Sequence, residues 1–302
     1  GRRMLEEKIN TSVLGVIPYF HLDIEDEDSL TERFRKKSRS GLAKIAVIRL
    51  PRISNFTDIA PLEAVDELDV SYVSNISQFG DPDVVIIPGS KNTISDLLWM
   101  RQNGLEGKIL RHAAKGGIVF GICGGYQMLG QSISDPTGAE QKGTVRGMGL
   151  LPVTTVFEQE KRRTRVSGRF AKVGGALAEM SGVCYEGYEI HMGRTVLSKG
   201  TVPLVYMEEE GEQRQDGAQS DHVYGCYMHG IFDMSETVKT FLAAVLRKKG
   251  IDPSKITVRD RNAYKEEQYD RLASIVRENL NMEAVYKIIE KGNEASCSLL
   301  SE

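Results

Sequence analysis

Cysteine is scarce in this chain: Cys123, Cys184, Cys226 and Cys297 are the only four in 302 residues. That is too sparse for the disulfide framework of a small secreted domain and fits a reducing compartment. No two of them have the Cys-x-x-Cys spacing and the five histidines do not cluster, so no metal-ligand pattern is present. Long apolar runs are missing too. No stretch approaches the roughly 18 residues that a membrane span needs. The opening residues, Gly1-Arg2-Arg3-Met4-Leu5-Glu6, lack the apolar core of a signal peptide. Charge of one sign is not in excess: the net charge of -3 argues against a nucleic-acid partner. Internal repeats and low-complexity tracts are absent. These absences lead to the expectation of a cytoplasmic protein, with neither nucleic acid nor membrane as partner, built as one large domain or two smaller ones.

What is present is an alternation of short apolar, β-branched runs with helical stretches. Residues 43–50, 68–73, 84–87 and 118–122 read as strands, with 59–67, 94–101 and 109–114 as helices between them. Strands interleaved with helices predict an α/β domain with a mostly parallel sheet covered on both faces and active-site groups at the strands' carboxyl ends. After Gly130 the texture turns strand-rich: 148–156, 164–170, 187–195, 204–208 and 223–228 read as strands. Residues 236–249 then read as a helix, 264–289 as one or two amphipathic helices, and 293–302 as a frayed end. Upstream, 12–19 reads as a buried strand closing at Pro18, with no partner nearby. Acidic 23–28 and basic 33–39 follow as solvated faces or a linker. The expected organisation is 1–40 as the end of an upstream domain plus linker, 41–250 as the main domain, and 251–302 as a C-terminal helical extension and tail.

The organising stretch is Gly117-Ile-Val-Phe-Gly-Ile-Cys-Gly-Gly-Tyr-Gln-Met-Leu-Gly130. It places Cys123 where a strand turns sharply into a helix, the sequence form of a nucleophile elbow. Glycines let the backbone turn tightly, and the helix N-terminus favours a thiolate and an oxyanion. A buried structural cysteine is the bland alternative, yet an apolar cysteine has no need of the glycines around it. A cysteine nucleophile needs a base. His229 follows an apolar strand and precedes Gly230, which puts it at a strand's carboxyl end. His191, within 187–193, is the rival; His21, His112 and His222 lie in polar or helical contexts and read as solvated. The amide of Gly124 and the Gly89-Ser90 turn are the expected oxyanion donors. Arg49 or Arg52, Asn55 and Asp58 form a polar cluster after the first strand, read equally as a capped turn or as a functional lining. Lys161-Arg-Arg-Thr-Arg165 reads as a solvated loop, with electrostatic attraction of a polycarboxylate as the sharper alternative.

Gly121-Ile-Cys-Gly-Gly-Tyr-Gln127 resembles the Gly-x-Cys-x-Gly-x-Gln signature of class I (triad) glutamine amidotransferases. Pro88-Gly89-Ser90 and His229 fall where that family places its oxyanion loop and its histidine. More narrowly, Leu50-Pro-Arg-Ile-Ser-Asn-Phe-Thr-Asp58, Pro88-Gly-Ser-Lys-Asn-Thr93, Tyr188-Glu-Ile-His-Met-Gly-Arg-Thr195 and Tyr227-Met-His-Gly-Ile-Phe232 resemble the cobyric acid synthase family. Leu14-Gly-Val-Ile-Pro18 and Glu27-Asp-Ser-Leu30 resemble the end of its ATP-using amidoligase domain. The resemblance implies a flavodoxin-like amidotransferase sheet with a strand-rich insertion after the elbow. It implies that Cys123 and His229 hydrolyse glutamine, and that Gln127, His191, Met192 and Gly193 hold that substrate. The ammonia would pass to the N-terminal amidoligase domain, there to amidate a corrinoid polycarboxylate in cobalamin biosynthesis. Arg49 or Arg52, Asn55 and Asp58 would line the contact with that domain or an ammonia exit.

No Gly-x-x-x-x-Gly-Lys-Ser/Thr loop occurs, so no cofactor is expected here, and ATP and magnesium are expected in the N-terminal domain. One departure stands out. The broader family carries a glutamate two positions after its histidine, whereas this chain has Ile231, so no third triad member is visible and Asp233 is the nearest carboxylate. The cobyric acid synthase group is similar in lacking that glutamate. Two other readings remain open: the glutaminase domain of a cobyrinic acid a,c-diamide synthase, and a catalytically inactive binding module of the same fold.

Overall fold

Apolar runs such as Val84–Ile87 and Ile118–Ile122 are buried at every position, which a strand achieves only with both faces of its sheet covered. In the computed structural model, which describes residues 1–20, 22, 41–209, 212–255 and 261–298, these runs form the middle of a six-stranded sheet. In chain order the strands are β1 (Ala43–Ile48), β2 (Ile53–Ser54), β3 (Leu68–Val73), β4 (Val84–Ile87), β5 (Gly89–Ser90) and β6 (Ile118–Ile122). There follow β7 (Ser132–Asp135), β8 (Gly143–Arg146), β9 (Val153–Phe170), β10 (Cys184–Leu197), β11 (Val205–Glu209), β12 (Glu212–Asp216), β13 (Ala218–Ser220) and β14 (Val223–Cys226). The main sheet has the order β13-β14-β6-β4-β1-β3. All its pairings are parallel except that of the edge strand β13 with β14. Leaving out β13, the parallel strands follow the 2-1-3-4-5 order of flavodoxin-like sheets, the architecture that the family resemblance implies.

The helices of this part are α1 (Arg2–Ile9), α2 (Ala60–Glu63), α3 (Thr93–Gln102), α4 (Leu105–Ala114), α5 (Gly124–Leu129) and α6 (Ser235–Lys248). Asn92 caps α3 by accepting from the Ser95 amide at 2.9 Å. The hydrophobic core runs from Ala43 to Leu246 and is centred on β1, β4 and β6.

The strand-rich insertion is a second sheet, β12-β11-β9-β7-β8, with β10 also paired to β9. Here the expectations need correction. The two strands expected at 148–156 and 164–170 are one continuous strand, β9, so Lys161 to Arg165 is a strand and not a solvated loop. Its antiparallel ladder with β10 sets Arg165 opposite Tyr188 and Arg163 opposite Ile190.

The chain divides into two compact units, Gly1–Glu27 with Asn262–Glu302, and Asp28–Arg261. The smaller contains α1, α8 (Met282–Ser298) and all but the first residue of α7 (Arg261–Asn279). The expected buried strand at 12–19 is replaced by a single bridge, Gly15 to Leu280, and Val16 is exposed. Asn281 N–H donates to the Leu14 carbonyl at 2.8 Å beside it. The tail expected to fray from residue 293 stays helical to Ser298. Residues 23–40, including the acidic and basic runs and Glu27 to Leu30, lie outside the described residues, as does His21.

Candidate active site

Strand β6 delivers Cys123 to the middle of the sheet, between β4 and β14, and α5 begins at the next residue. Cys123 takes φ 51° and ψ −109°, a conformation that costs a non-glycine residue about 1–3 kcal/mol and marks functional turns. The surrounding structure over-determines it. Its N–H donates to the Cys226 carbonyl at 2.9 Å and its carbonyl accepts from the Gln127 N–H at 3.1 Å. Gly125 is forced by contact: a Cβ there would lie 2.0 Å from the Ile87 carbonyl oxygen. The elbow helix therefore rests directly on the end of β4. The thiol is 7% exposed and meets the Ile190 carbonyl at 3.7 Å.

His229 is fully buried, and its side chain is hydrogen-bonded to that of Cys123. Its backbone pairs with Tyr188 in both directions (3.1 and 2.9 Å), and the two rings stack at 5.3 Å. Nδ1 lies 2.7 Å from Asp58 Oδ2, while Asp58 Oδ1 accepts from the Gly230 N–H at 2.8 Å. Asp58, 2% exposed, thus grips both the ring and the backbone after it. Nδ1–H donates to Asp58, which fixes the tautomer and leaves Nε2 as the nitrogen for the thiol. The Asn55 carboxamide rests against the same ring, 3.0 Å from Nε2. Burial alone pulls the imidazole pKa down, but hydrogen bonds and charge from Asp58 and Cys123 outweigh it and push it up to about 10. With the Asp58 carboxylate 2.7 Å from Nδ1, the imidazolium is the form these surroundings favour.

The sequence left no carboxylate for His229, and the structure supplies Asp58 from the polar cluster after β1. That cluster is neither simply a capped turn nor a remote lining. Its Arg52 holds another buried carboxylate, Asp96, which accepts from the Arg52 N–H at 3.2 Å and from Ser90 Oγ at 2.7 Å. Asp96 so ties the Gly89-Ser90 turn in place. Burial raises its pKa, against the opposing hydrogen bonds from Ser90 and Arg52. The Ser90 amide nitrogen would sit 3.0 Å from a Cβ on Gly124, so the two expected oxyanion donors are side by side. The Gly124 N–H is the first of its helix and has no intrahelical acceptor.

The four residues expected to hold glutamine are placed differently from one another. Gln127 is 2% exposed; its Oε1 accepts from Thr93 Oγ1 at 3.2 Å and its Nε2 donates to Tyr227 Oη at 3.0 Å. Its carboxamide braces the elbow helix against Tyr227, whose hydroxyl also meets Thr195 Oγ1 at 2.6 Å. His191, Met192 and Gly193 line a cavity of about 470 Å3 with Tyr227, Arg214 and Asp216, among others, but neither Cys123 nor His229 is part of its wall. His191 stacks on Tyr227 at 3.7 Å, with Nδ1 at 2.8 Å from the Gly193 carbonyl and Nε2 at 3.6 Å from Glu189 Oε1. Glu189 would be raised by its burial, but hydrogen bonds from His191 and Arg214 hold it down at about 2. His112, expected to be solvated, is half-buried and meets the Ile118 carbonyl at 3.1 Å. His222 is likewise only partly exposed.

A cysteine elbow in the middle of a flavodoxin-like sheet, backed by a histidine–carboxylate pair, defines the class: the fold is that of class I glutamine amidotransferases. The structure of PurLQS from Thermotoga maritima superposes over 68% of this chain and 99% of that one, with a TM-score of 0.52 and 17% identity. The chain belongs to the CobB/CobQ-like glutamine amidotransferase domain family, whose pattern matches residues 44–237. Among curated relatives, the cobyric acid synthase of Ruminiclostridium cellulolyticum is 53% identical over 97% of this chain, and that of Lachnoclostridium phytofermentans 43% identical over 97%. The chain spans only 58% and 60% of those two proteins.

Proposed function

We propose that this chain hydrolyses glutamine through a thioester on Cys123, as the glutaminase part of a cobyric acid synthase. The observation that carries the reading is the Cys123–His229–Asp58 array on a strained elbow. In this reading the Cys123 thiolate attacks the carboxamide carbon of glutamine, and the oxyanion that forms is met by the Gly124 and Ser90 N–H groups. His229 imidazolium gives its proton to the departing nitrogen as the C–N bond breaks, releasing ammonia and leaving the acyl–sulfur bond. The neutral imidazole then takes a proton from water, which attacks the thioester, and glutamate leaves with the thiol restored. Asp58 holds Nδ1 and stabilises the imidazolium without exchanging a proton itself.

The ammonia would serve a separate amidoligase portion that uses ATP and magnesium to amidate corrinoid carboxylates, converting cobyrinic acid a,c-diamide to cobyric acid. The relatives' names support this assignment over a,c-diamide synthesis. Cytoplasmic operation accords with the sparse cysteines, and no helix among the described residues is long and apolar enough to cross a membrane. The inactive-module reading loses its best support, because the carboxylate missing after His229 is supplied by Asp58.

Purified Cys123→Ala should release no ammonia from glutamine, His229→Ala should slow release by about 10²–10⁴-fold, and His191→Ala should keep kcat within a few-fold. Full activity in Cys123→Ala would refute the proposal.

A further inference from the structure

Residues 52–58 touch two parts of the catalytic array that lie far apart in the chain. At one end Ile53 and Ser54 (β2) pair with Ser90 and Gly89 (β5), and the Lys91 N–H donates to the Arg52 carbonyl at 2.8 Å. That bond makes Ile53 and Ser90 a non-hydrogen-bonded pair of an antiparallel ladder, so the Ser90 N–H stays out of the ladder and points away from β2. At the other end Asn55 and Asp58 rest on His229. The two ends meet at Gly89, where a Cβ would lie 2.7 Å from Ser54 Oγ and 3.1 Å from His229 Cε1. The oxyanion turn, this segment and the imidazole are packed with no room for a methyl group between them.

One side chain supports both the segment and the turn. Asp96 is fully buried in the first turn of α3. Its Oδ2 accepts from the Arg52 N–H at 3.2 Å and from Ser90 Oγ at 2.7 Å, and its Oδ1 lies 3.4 Å from Arg52 Nη1. Ser90 Oγ in turn accepts from the Asn92 N–H at 3.0 Å. The helix beneath is itself held, by the Asn92 cap and by Glu140, which accepts from the Ile94 N–H at 2.9 Å. Burying a carboxylate costs desolvation, and an apolar side chain of similar size would fill the space at less cost if packing were its only task.

We propose that Asp96 is a positioning residue for glutamine hydrolysis: through residues 52–58 it sets the Ser90 N–H and the Asp58–His229 pair together, so that oxyanion donor and base share one support. Asp96 acts through Ser90 on one side and through Arg52 on the other. The proposal deepens the glutaminase reading and rests on it for turnover.

Three variants test it, each read by ammonia release, by NMR titration of the His229 ring, and by alkylation of Cys123 with iodoacetamide, which forms no oxyanion. Asp96→Ala removes both tethers. Its kcat should fall about 10²-fold with KM within about threefold, and the ring should titrate at least about one pH unit lower as Asp58 loosens. Asp96→Asn keeps an acceptor oxygen and should bring kcat back to within about tenfold of the wild type. Ser90→Ala cuts only the tether to the turn and leaves the Ser90 N–H in place. Its kcat should fall about tenfold, with the His229 titration unmoved and alkylation within about twofold. An unmoved His229 titration in Asp96→Ala would overturn the proposal, as would full kcat in Ser90→Ala; should Asp96→Ala fail to fold, Ser90→Ala decides. Wild-type protein that releases no ammonia would refute the glutaminase reading instead, and titration and alkylation, which need no glutamine, would still judge the shared support.

Discussion

Asp58 changes what His229 can do. A buried imidazole without a counter-charge would sit neutral and weakly held; with Asp58 at 2.7 Å and the thiol as its other partner, it stays protonated up to about pH 10. Asp58→Asn should therefore lower kcat by about 10²–10⁴-fold with KM little changed, a range set by tautomer and general-acid effects. NMR of the His229 ring should show its pKa falling at the same time; an unmoved pKa would assign Asp58 a purely structural role. A linked effect on stability follows. Because the folded pKa is raised above the usual 6.5, the stabilisation is fully present below that value and is lost as pH rises through about 10. Melting temperature should accordingly fall between neutral pH and pH 10 in the wild type, and fall less in Asp58→Asn. Cys123 and His229 were legible in the sequence because each announces itself locally, at a strand end beside glycine. Asp58 was not, because it lies 171 residues from its partner and its own neighbourhood, Asn55 to Asp58, looks like an ordinary turn. Only the contact of that turn with His229 and Gly230, just after β14, distinguishes it.

At the scale of elements, the elbow is held by contact rather than by turn propensity. Gly125→Ala forces a Cβ to within 2.0 Å of the Ile87 carbonyl, so α5 must lift off β4. Overpacking of this kind costs about 1–3 kcal/mol or more, which calorimetry should show as a lower melting temperature. Thiol labelling should fall too, because Cys123 and the Gly124 amide move with the helix. The strands of the main sheet were readable because burial on both faces demands continuous Val and Ile. The strands β7, β8, β12 and β13 escaped notice: they are short or polar, and their pairing partners, not their composition, make them strands. The same holds for Lys161 to Arg165, whose charge suggested a loop. In the ladder Arg165, Tyr188 and His229 stand in one row across neighbouring backbones, so exposed arginines flank the site by register alone.

For the whole molecule, the hydrophobic core among the described residues runs from Ala43 to Leu246, with Ile251 packed against it. A fragment of residues 41–255 should therefore fold cooperatively and keep Cys123 reactive, as circular dichroism and labelling would report. A fragment that is unfolded would show that the helices at the two ends contribute to this core. The parallel α/β sheet covered on both faces was legible because alternating strands and helices leave few ways to bury apolar faces, whereas its flavodoxin-like order came only through the family resemblance. The union of the two chain ends in one small unit was not, since a bridge at Gly15 and exposed stripes on α1 and α8 leave no periodic signal linking residues so far apart.

The central claim, that Cys123 is acylated by glutamine, is tested most directly by quenching the wild-type protein during turnover and mapping covalent adducts by mass spectrometry. A γ-glutamyl group is expected on Cys123 and not on Cys226, whose thiol burial pushes far above the usual cysteine range. Glutamine consumed with no adduct at Cys123, or with the adduct on another cysteine, would contradict the account.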